Sequence, residues 1–288
     1  MLKKFKELKS SSSNAYFIAE VGINHNGELK NVFKLIQAAK LAGCDAVKFQ
    51  KRNPKDCVPK SQWNVLRDTP WGKITYIDYK EKMEFSKKDY KKIIDYCKKT
   101  EIDWFASCWD ISSVYLMEEL KIPCYKIASA SLTDLNLIKA VKKTNKPVIL
   151  STGASTLKQI KTAVKILGQK NLAILHCNSS YPANYEELNL NMIKKFKKIF
   201  PKSIIGYSGH EIGLSPSSAA VVLGAKIIER HITLDKSMWG TDQQASIEPL
   251  GFARMIRDIK TIEKSMGVEK KIVYESEKKV MKKLRIND

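Results

Sequence analysis

The sequence has little of what membrane-spanning, secreted or disulfide-built proteins need. No run of 18 apolar residues occurs in the 288 residues, so no transmembrane helix is predicted. The N-terminal stretch MLKKFKELKSSSSNAYF lacks the apolar segment of a signal peptide. The six cysteines are scattered and form no CxxC pair, which favours reduced thiols. We therefore expect a cytoplasmic protein.

Acidic residues are scarce relative to basic ones, at 30 against 51, which gives a net charge of +21. Such a charge can attract nucleic acid or an anionic membrane. However, lysine greatly outnumbers arginine, and the lysines lie in separate helix-like stretches rather than in one stripe interleaved with aromatic residues. We interpret them as solvated helix faces and predict no nucleic-acid partner and no membrane partner. The positive field would still favour capture of an anionic substrate.

The sequence also lacks a GxGxxG motif, which counts against an open dinucleotide-binding sheet. Instead, eight short apolar runs alternate with amphipathic, Lys-rich stretches. This alternation predicts a single (β/α)8 barrel over residues 1–268. A long irregular loop is predicted at residues 51–85 after strand two, and a charged tail with a short helix at residues 269–288. The predicted strands are residues 16–21, 46–50, 103–106, 124–127, 147–150, 172–176, 203–206 and 225–229.

In a (β/α)8 barrel, the active site lies at the C-terminal ends of the strands. Lys48 and Lys126 stand there within apolar runs, and burying an unpaired charge is costly, so a structural explanation is hard to find. Glu20 is similarly isolated in an apolar strand. Lysines and several hydroxyl groups on one rim suit a phosphate ester. The other polar strand-end residues are Gln50, Ser107, Ser129, Ser151, Thr152, His176, Asn178, Tyr181, Ser208, His210, Glu229, His231 and Asp242.

Histidine is rare, with four in the chain, and three of them follow short apolar runs. His210 and His231 end neighbouring predicted strands, and Asp242 follows soon after. Imidazoles clustered in this way are typical of a divalent metal site, and the nearby acids suit proton transfer. We interpret His176 as a structural histidine. Arg230 is expected to face the helical layer or to pair with an acid.

Several motifs in this order resemble the sialic acid synthases, over about residues 14–265. They are IAEVGINHNG at 18–27, VKFQ at 47–50, YKIAS at 125–129, LSTG at 150–153, GYSGH at 206–210, ERHITLD at 229–235, WGTD at 239–242 and ASIEP at 245–249. The resemblance implies condensation of phosphoenolpyruvate (PEP) with the open-chain form of N-acetylmannosamine or a related N-acyl amino sugar. The products would be a nine-carbon 2-keto acid and phosphate. The chain departs from the family pattern at Ser131, where many members have glutamate, and at Gln243, where histidine is frequent.

The resemblance also implies roles for individual residues. A divalent ion, Mn²⁺ or Mg²⁺, would bind His210 and His231. Catalytic roles fall to Glu20, Tyr181 and Asp242, and sugar contacts to Gln50, Tyr181 and Asp242. PEP contacts are implied for Lys48, Ser107, Lys126, Ser129, Ser151 and Ser208.

Family members usually add a small antifreeze-like domain that reaches across a dimer to the sugar. The given chain has a tail of about 20 residues after the barrel. The resemblance implies a homo-oligomer, a dimer. With so short a tail, we expect the 51–85 segment or a separate partner to close the site in place of the antifreeze-like domain.

Other functions stay open at this point. The acid could be legionaminic or pseudaminic acid or a shorter keto-sugar acid. A Schiff-base aldolase that uses Lys126 or Lys48 is a more distant possibility. A basic nucleic-acid-binding protein and an inactive, partner-binding barrel are alternatives from other classes.

Overall fold

Eight parallel strands close into a barrel in the computed structural model, which describes residues 7–8 and 14–286. Each strand pairs with its sequence neighbours, and β1 pairs with β8 to complete the ring. The predicted (β/α)8 fold is confirmed. The strands are β1 Tyr16–Gly22, β2 Ala46–Lys51, β3 Asp103–Cys108, β4 Tyr125–Ile127, β5 Val148–Ser151, β6 Leu172–Cys177, β7 Ile204–Gly209 and β8 Ile227–His231.

Each barrel strand is followed by a helix of the outer layer, and buried apolar side chains of both layers form one continuous core. Local signals fix several helix ends. Ser86 and Asp89 form a reciprocal capping box, and Asp134 caps a later helix. Gly43 ends the first helix at φ 90°, a left-handed conformation that favours glycine. The helices are α1 Leu29–Ala42, α2 Lys87–Lys99, α3 Ile111–Glu119, α4 Leu135–Lys143, α5 Leu157–Leu167, α6 Met192–Ile199, α7 Ser215–Val222 and α8 Pro249–Ser265.

Several strands extend further toward their C-terminal ends than the apolar runs suggest. Strand β7 continues to Gly209 and β8 to His231, where the predictions end at residues 206 and 229. The ladder continues through polar residues, since Ser208 pairs with Cys177 and His231 pairs with Glu20. Backbone pairing does not depend on side-chain polarity, so an apolar-run criterion ends these strands too early. Two of the extra residues, Ser208 and His231, line the cavity at the barrel mouth.

The 51–85 segment is regular rather than irregular, which corrects the prediction. It contains the short helix Pro54–Cys57, a hairpin of Leu66–Thr69 and Gly72–Thr75, and the helix Tyr76–Lys82. Aromatic contacts hold it against the loop after β8, with Tyr79 packed edge-on to Trp239 at 5.5 Å between ring centroids. The insertion is therefore a wall beside the barrel mouth.

After the barrel, an exposed helix occupies Glu275–Leu284. Within the described ranges, none of the helices is long and apolar enough to cross a membrane.

Candidate active site

A cavity of about 240 Å³ opens at the C-terminal ends of the barrel strands. Most of the predicted strand-end residues line it, and Asp242 lies beside it. Thr152, His176 and Asn178 line a different cavity next to strands β5 and β6. The charged and polar lining residues are Glu20, Lys48, Gln50, Ser107, Trp109, Lys126, Ser129, Ser151, Cys177, Ser179, Tyr181, Ser208, His210, Glu229 and His231.

Glu229 is the centre of a buried charge network on the cavity floor. Its Oε1 lies 3.0 Å from Lys126 Nζ and 3.3 Å from Lys48 Nζ. Ser208 donates a hydrogen bond to the same oxygen at 3.3 Å. Lys48 also pairs with Glu20 Oε2 at 3.0 Å. Two carboxylates thus hold two ammonium groups side by side, with nearly all of their surface removed from water.

Gln50 and Arg52 extend this network toward the barrel rim. Gln50 donates to Glu20 Oε1 at 3.0 Å and accepts a hydrogen bond from Arg52. Arg52 pairs with Glu84 of the insertion at 3.0 Å and stacks on Trp109. Hydrogen bonds and an ion pair therefore link the insertion to the cavity floor.

The surroundings of the two glutamates shift their pKa values in opposite directions. Burial raises the pKa of Glu20, and the nearby charge of Glu229 adds to this, although Lys48 opposes it. Burial also disfavours charged Glu229, but Lys126 and Lys48 outweigh it and lower its pKa to about 2. Glu229 therefore stays ionised, while Glu20 can more readily hold a proton.

The two lysines also differ. Burial disfavours the charge of Lys48, but Glu20 and Glu229 outweigh it and raise its pKa. Burial lowers the pKa of Lys126, and Glu229 offsets this in part. Lys48 therefore stays protonated, whereas Lys126 loses its proton more readily.

Hydrogen-bond donors without a partner face the same cavity. Among the described residues, the buried Ser151 Oγ, Ser179 Oγ and Trp109 Nε1 find no hydrogen-bond partner. Ser129 Oγ is used by the protein, since it accepts from the Gly153 amide at 3.0 Å. Buried polar groups are normally satisfied, so open donors beside two lysines are typical of an anion-binding site.

His210 and His231 lie on the opposite side, with ring centroids 5.4 Å apart. His210 Nδ1 lies 2.6 Å from the carbonyl oxygen of Asn178, which makes this nitrogen the donor and leaves the Nε2 lone pair free. His231 Nδ1 is buried and has no hydrogen-bond partner among the described residues. Arg230, next to His231, forms a fully buried pair at 2.8 Å with Glu211, next to His210. This pair confirms the expectation for Arg230 and ties the two histidine segments together.

These two imidazoles fit a divalent cation because each offers a free nitrogen lone pair. Within the described part of the chain, no three histidine, cysteine or acidic side chains converge as a full ligand set. The protein would thus supply two nitrogen ligands and leave the other positions to substrate and water.

Tyr181 and Asp242 lie beside the histidines at the cavity entrance. The Tyr181 ring stacks on His210 at 4.1 Å and contacts His231 edge-on at 5.7 Å. Asp242 Oδ2 is 3.8 Å from His231 Nδ1. Gln243 braces this loop through Thr233 and the Trp239 carbonyl. His176 lies elsewhere, bound to the Leu188 carbonyl, in keeping with a structural role.

The sequence analysis did not foresee the central position of Glu229, or the lining residues Ser179, Trp109 and Cys177. Glu229 was already among the strand-end candidates, and strand alternation places it on the face of His231, two residues later, but no role was assigned to it. Cys177 Sγ lies 3.7 Å from His210 Nδ1; burial opposes its thiolate, but His210 lowers the pKa of the thiol. Ser179 and Trp109 belong to loops, whose direction the strand pattern does not predict.

Comparison with known proteins gives a consistent result. Residues 35–271 match the NeuB family. An N-acetylneuraminate-9-phosphate synthase of Drosophila melanogaster is 40% identical, over 82% of this chain and 64% of that protein. An N,N'-diacetyllegionaminic acid synthase of Campylobacter jejuni is 38% identical, over 91% of this chain and 80% of that protein. The chain belongs to the NeuB family.

The structural comparison supports the same assignment. The N-acetylneuraminic acid synthetase of Leptospira borgpetersenii superposes with a TM-score of 0.83 at 30% identity, covering 96% of this chain and 94% of that one. The predicted resemblance to the sialic acid synthases is confirmed, and this NeuB-family chain is an enzyme of the synthase type.

Proposed function

We propose that this NeuB-family enzyme condenses PEP with the open-chain form of an N-acetylmannosamine-like sugar. The products are a nine-carbon 2-keto acid and phosphate. The observation that carries the proposal is the arrangement of the cavity: two buried lysines held between Glu20 and Glu229, beside open hydroxyl donors, opposite two imidazoles.

PEP would lie on the lysine side of the cavity. Lys48 and Lys126 offset its phosphate and carboxylate charges in a water-poor setting, where such interactions are strong. Ser151 and Ser179 offer hydroxyls without a partner among the described residues. Ser107, Ser129 and Ser208 lie within the same lining and complete the proposed PEP contacts.

The acceptor sugar would lie on the histidine side. A divalent cation such as Mn²⁺ or Mg²⁺, when bound by His210 and His231, would polarise the aldehyde oxygen. Tyr181 stacks on His210 at the entrance and can cover the sugar. Gln50 and Asp242 can orient its hydroxyl groups.

One water molecule supplies both protons that the products need. C3 of PEP bonds to the aldehyde carbon, and the former aldehyde oxygen takes up a proton. Water adds at C2 and loses one proton. The C2 hydroxyl then loses its proton and becomes the keto group as the bond from C2 to the phosphate oxygen breaks, and phosphate leaves with that proton. Proton uptake at the aldehyde oxygen and proton loss from the attacking water are the two steps that need a carrier. Glu20 is the proposed proton carrier for either step because burial raises its pKa, whereas Glu229 stays ionised to hold the lysines.

Which nine-carbon acid is made is a separate question. The relatives include synthases named for N-acetylneuraminate 9-phosphate, legionaminic acid and pseudaminic acid, so both phosphorylated and unphosphorylated acceptors are candidates. A Schiff-base aldolase needs a neutral lysine and gives no role to the paired imidazoles of His210 and His231. Two carboxylates keep Lys48 protonated, and Lys126, whose pKa burial lowers, is bound to Glu229 at 3.0 Å. We therefore favour the synthase.

The proposal is tested by phosphate release from PEP across a panel of 2-acetamido sugars with Mn²⁺. Release should depend on the sugar and should stop when EDTA removes the metal. Borohydride with pyruvate should leave the enzyme active, because no lysine forms a covalent adduct. Absence of release with every sugar, or trapping by borohydride, contradicts the proposal.

A further inference from the structure

A second groove of about 380 Å³ lies between the insertion and the loop after β8. Three aromatic rings, two cations and one carboxylate, that of Asp68, line it. Its residues are Arg67, Asp68, Tyr76, Tyr79, Lys80, Trp239, Gly240 and Thr241.

Lys80 has an unusual environment in this groove. It is 9% exposed, yet no carboxylate among the described residues forms an ion pair with it. Its Nζ instead lies 5.1 Å from the Tyr76 ring centre and 5.2 Å from that of Tyr79. The other buried cations of the described chain, which are Lys48, Arg52, Lys126 and Arg230, each have a carboxylate at 3.0 Å or less. A buried charge without a counter-ion is costly. The position of Lys80 therefore indicates a ligand that supplies the negative charge.

Two further groups in the groove suit an anion. The Arg67 guanidinium lies 4.9 Å from the centre of the same Tyr76 ring, on the exposed side of the groove. The Tyr79 hydroxyl is buried and has no hydrogen-bond partner among the described residues. Burial, reinforced by Arg52, lowers the pKa of Lys80 to about 8, against the pull of Asp242. A bound anion would favour its charged form.

The groove adjoins the candidate active site through one loop. Trp239, Gly240 and Thr241 line the groove, and Asp242 follows directly and lies 3.8 Å from His231. An acceptor whose aldehyde lies near the histidines can therefore extend its far end past Asp242 toward Lys80.

We propose that this groove binds a phosphate ester at the end of the acceptor remote from its aldehyde, so that a sugar phosphate is the preferred acceptor. This inference rests on the proposed synthase function. A phosphate dianion supplies the missing charge and accepts hydrogen bonds from Lys80, Arg67 and the Tyr79 hydroxyl. The aromatic walls of Tyr76 and Trp239 suit the faces of the sugar chain.

The test compares N-acetylmannosamine 6-phosphate with N-acetylmannosamine in the phosphate-release assay. The wild-type enzyme should show a kcat/KM about 10- to 100-fold higher for the phosphorylated sugar, as expected for one or two charged hydrogen bonds. Lys80→Met removes the charge but keeps the side-chain length, and it should bring this ratio close to one. Lys91→Met changes an exposed lysine of α2 and should leave the ratio unchanged.

Two further measurements separate the possible outcomes. Because Lys80→Met replaces an unpaired buried cation by an apolar group, its melting temperature without ligand should not fall. Arg67→Met, at an exposed position, should lower the ratio in the same direction and serves as a second variant. If the wild-type ratio is one or below, or if neither variant changes the ratio, the phosphate site is overturned while the synthase function stands.

If neither of these two sugars nor any other sugar of the panel releases phosphate, the synthase proposal fails. Calorimetric binding of N-acetylmannosamine 6-phosphate then tests, without any turnover, whether the groove is a phosphate site. Tighter binding to wild type than to Lys80→Met supports the site, and equal binding overturns it.

Discussion

Replacing Glu229 by glutamine tests the charge network on which the candidate site depends. The amide keeps the shape of the side chain but removes the negative charge that Lys126 and Lys48 share. Lys48 retains Glu20 at 3.0 Å, whereas Lys126 loses its carboxylate partner. The perturbation is thus one stranded, buried ammonium group.

Breaking a buried pair by removing one partner costs about 3–5 kcal/mol. Because Lys48 keeps a partner and Lys126 can lose its proton, we take the lower end of the range, about 3 kcal/mol in the free energy of unfolding. Burial already lowers the pKa of Lys126, and the loss of Glu229 should lower it further and so favour the neutral amine. The KM for PEP should then rise about 10-fold or more, since one charged contact is lost.

Urea denaturation and steady-state kinetics measure these two effects. Glu119→Gln is the matched control, because Glu119 pairs with Lys87 at 2.5 Å on the open surface. An exposed pair of this kind contributes about 0–1 kcal/mol, and its loss should leave the KM for PEP unchanged. If Glu229→Gln resembles this control in both stability and KM, the network does not have the role argued for it.

Three other predictions concern single groups. Glu20→Gln should lower kcat by about 10²- to 10⁴-fold with native-like stability, as expected for a lost proton carrier; near-full turnover would exclude that role. His210→Ala and His231→Ala should each lower kcat/KM at least about 100-fold and weaken Mn²⁺ binding in a direct titration. Unchanged Mn²⁺ binding would show that these histidines are not metal ligands. Burial, aided by Arg52, lowers the pKa of His25 to about 3, so its neutral form is kept while the unfolded chain takes up a proton below about 6.5. The free energy of unfolding should therefore fall by roughly 2 kcal/mol between pH 7.5 and pH 5. His25→Asn, which keeps an acceptor for the Gly27 amide, should make this pH dependence shallower. An equal pH dependence in the variant would contradict the role of His25.

The barrel was predictable because its strands and helices have distinct periodicities. Eight buried strands appear as short apolar runs, and helices such as Leu29–Ala42 and Lys87–Lys99 have clear end signals at Gly43 and Ser86. The strand ends were placed too early, since their last residues are polar, and several of them line the candidate site. The hairpin within the insertion was missed because its strands are short and largely exposed.

The candidate site was predictable as a set of residues but not as a network. The rule that parallel strands converge at their C-terminal ends brings Lys48, Lys126 and His231 to one rim without any knowledge of side-chain partners. Which carboxylate pairs with which lysine depends on side-chain directions inside the barrel. The sequence therefore did not identify Glu229 as their common partner. The burial of Lys80 depends on how the insertion packs against Trp239, a long-range contact that a local pattern does not reveal.

The central claim is that the cavity joins PEP to a sugar rather than simply hydrolysing PEP. The most direct measurement quantifies phosphate and the nine-carbon acid together, by colorimetry and mass spectrometry, with PEP, Mn²⁺ and the best acceptor of the sugar panel. The account predicts one molecule of keto acid for each phosphate released and no pyruvate. Phosphate accompanied by pyruvate, with no nine-carbon product, would contradict it.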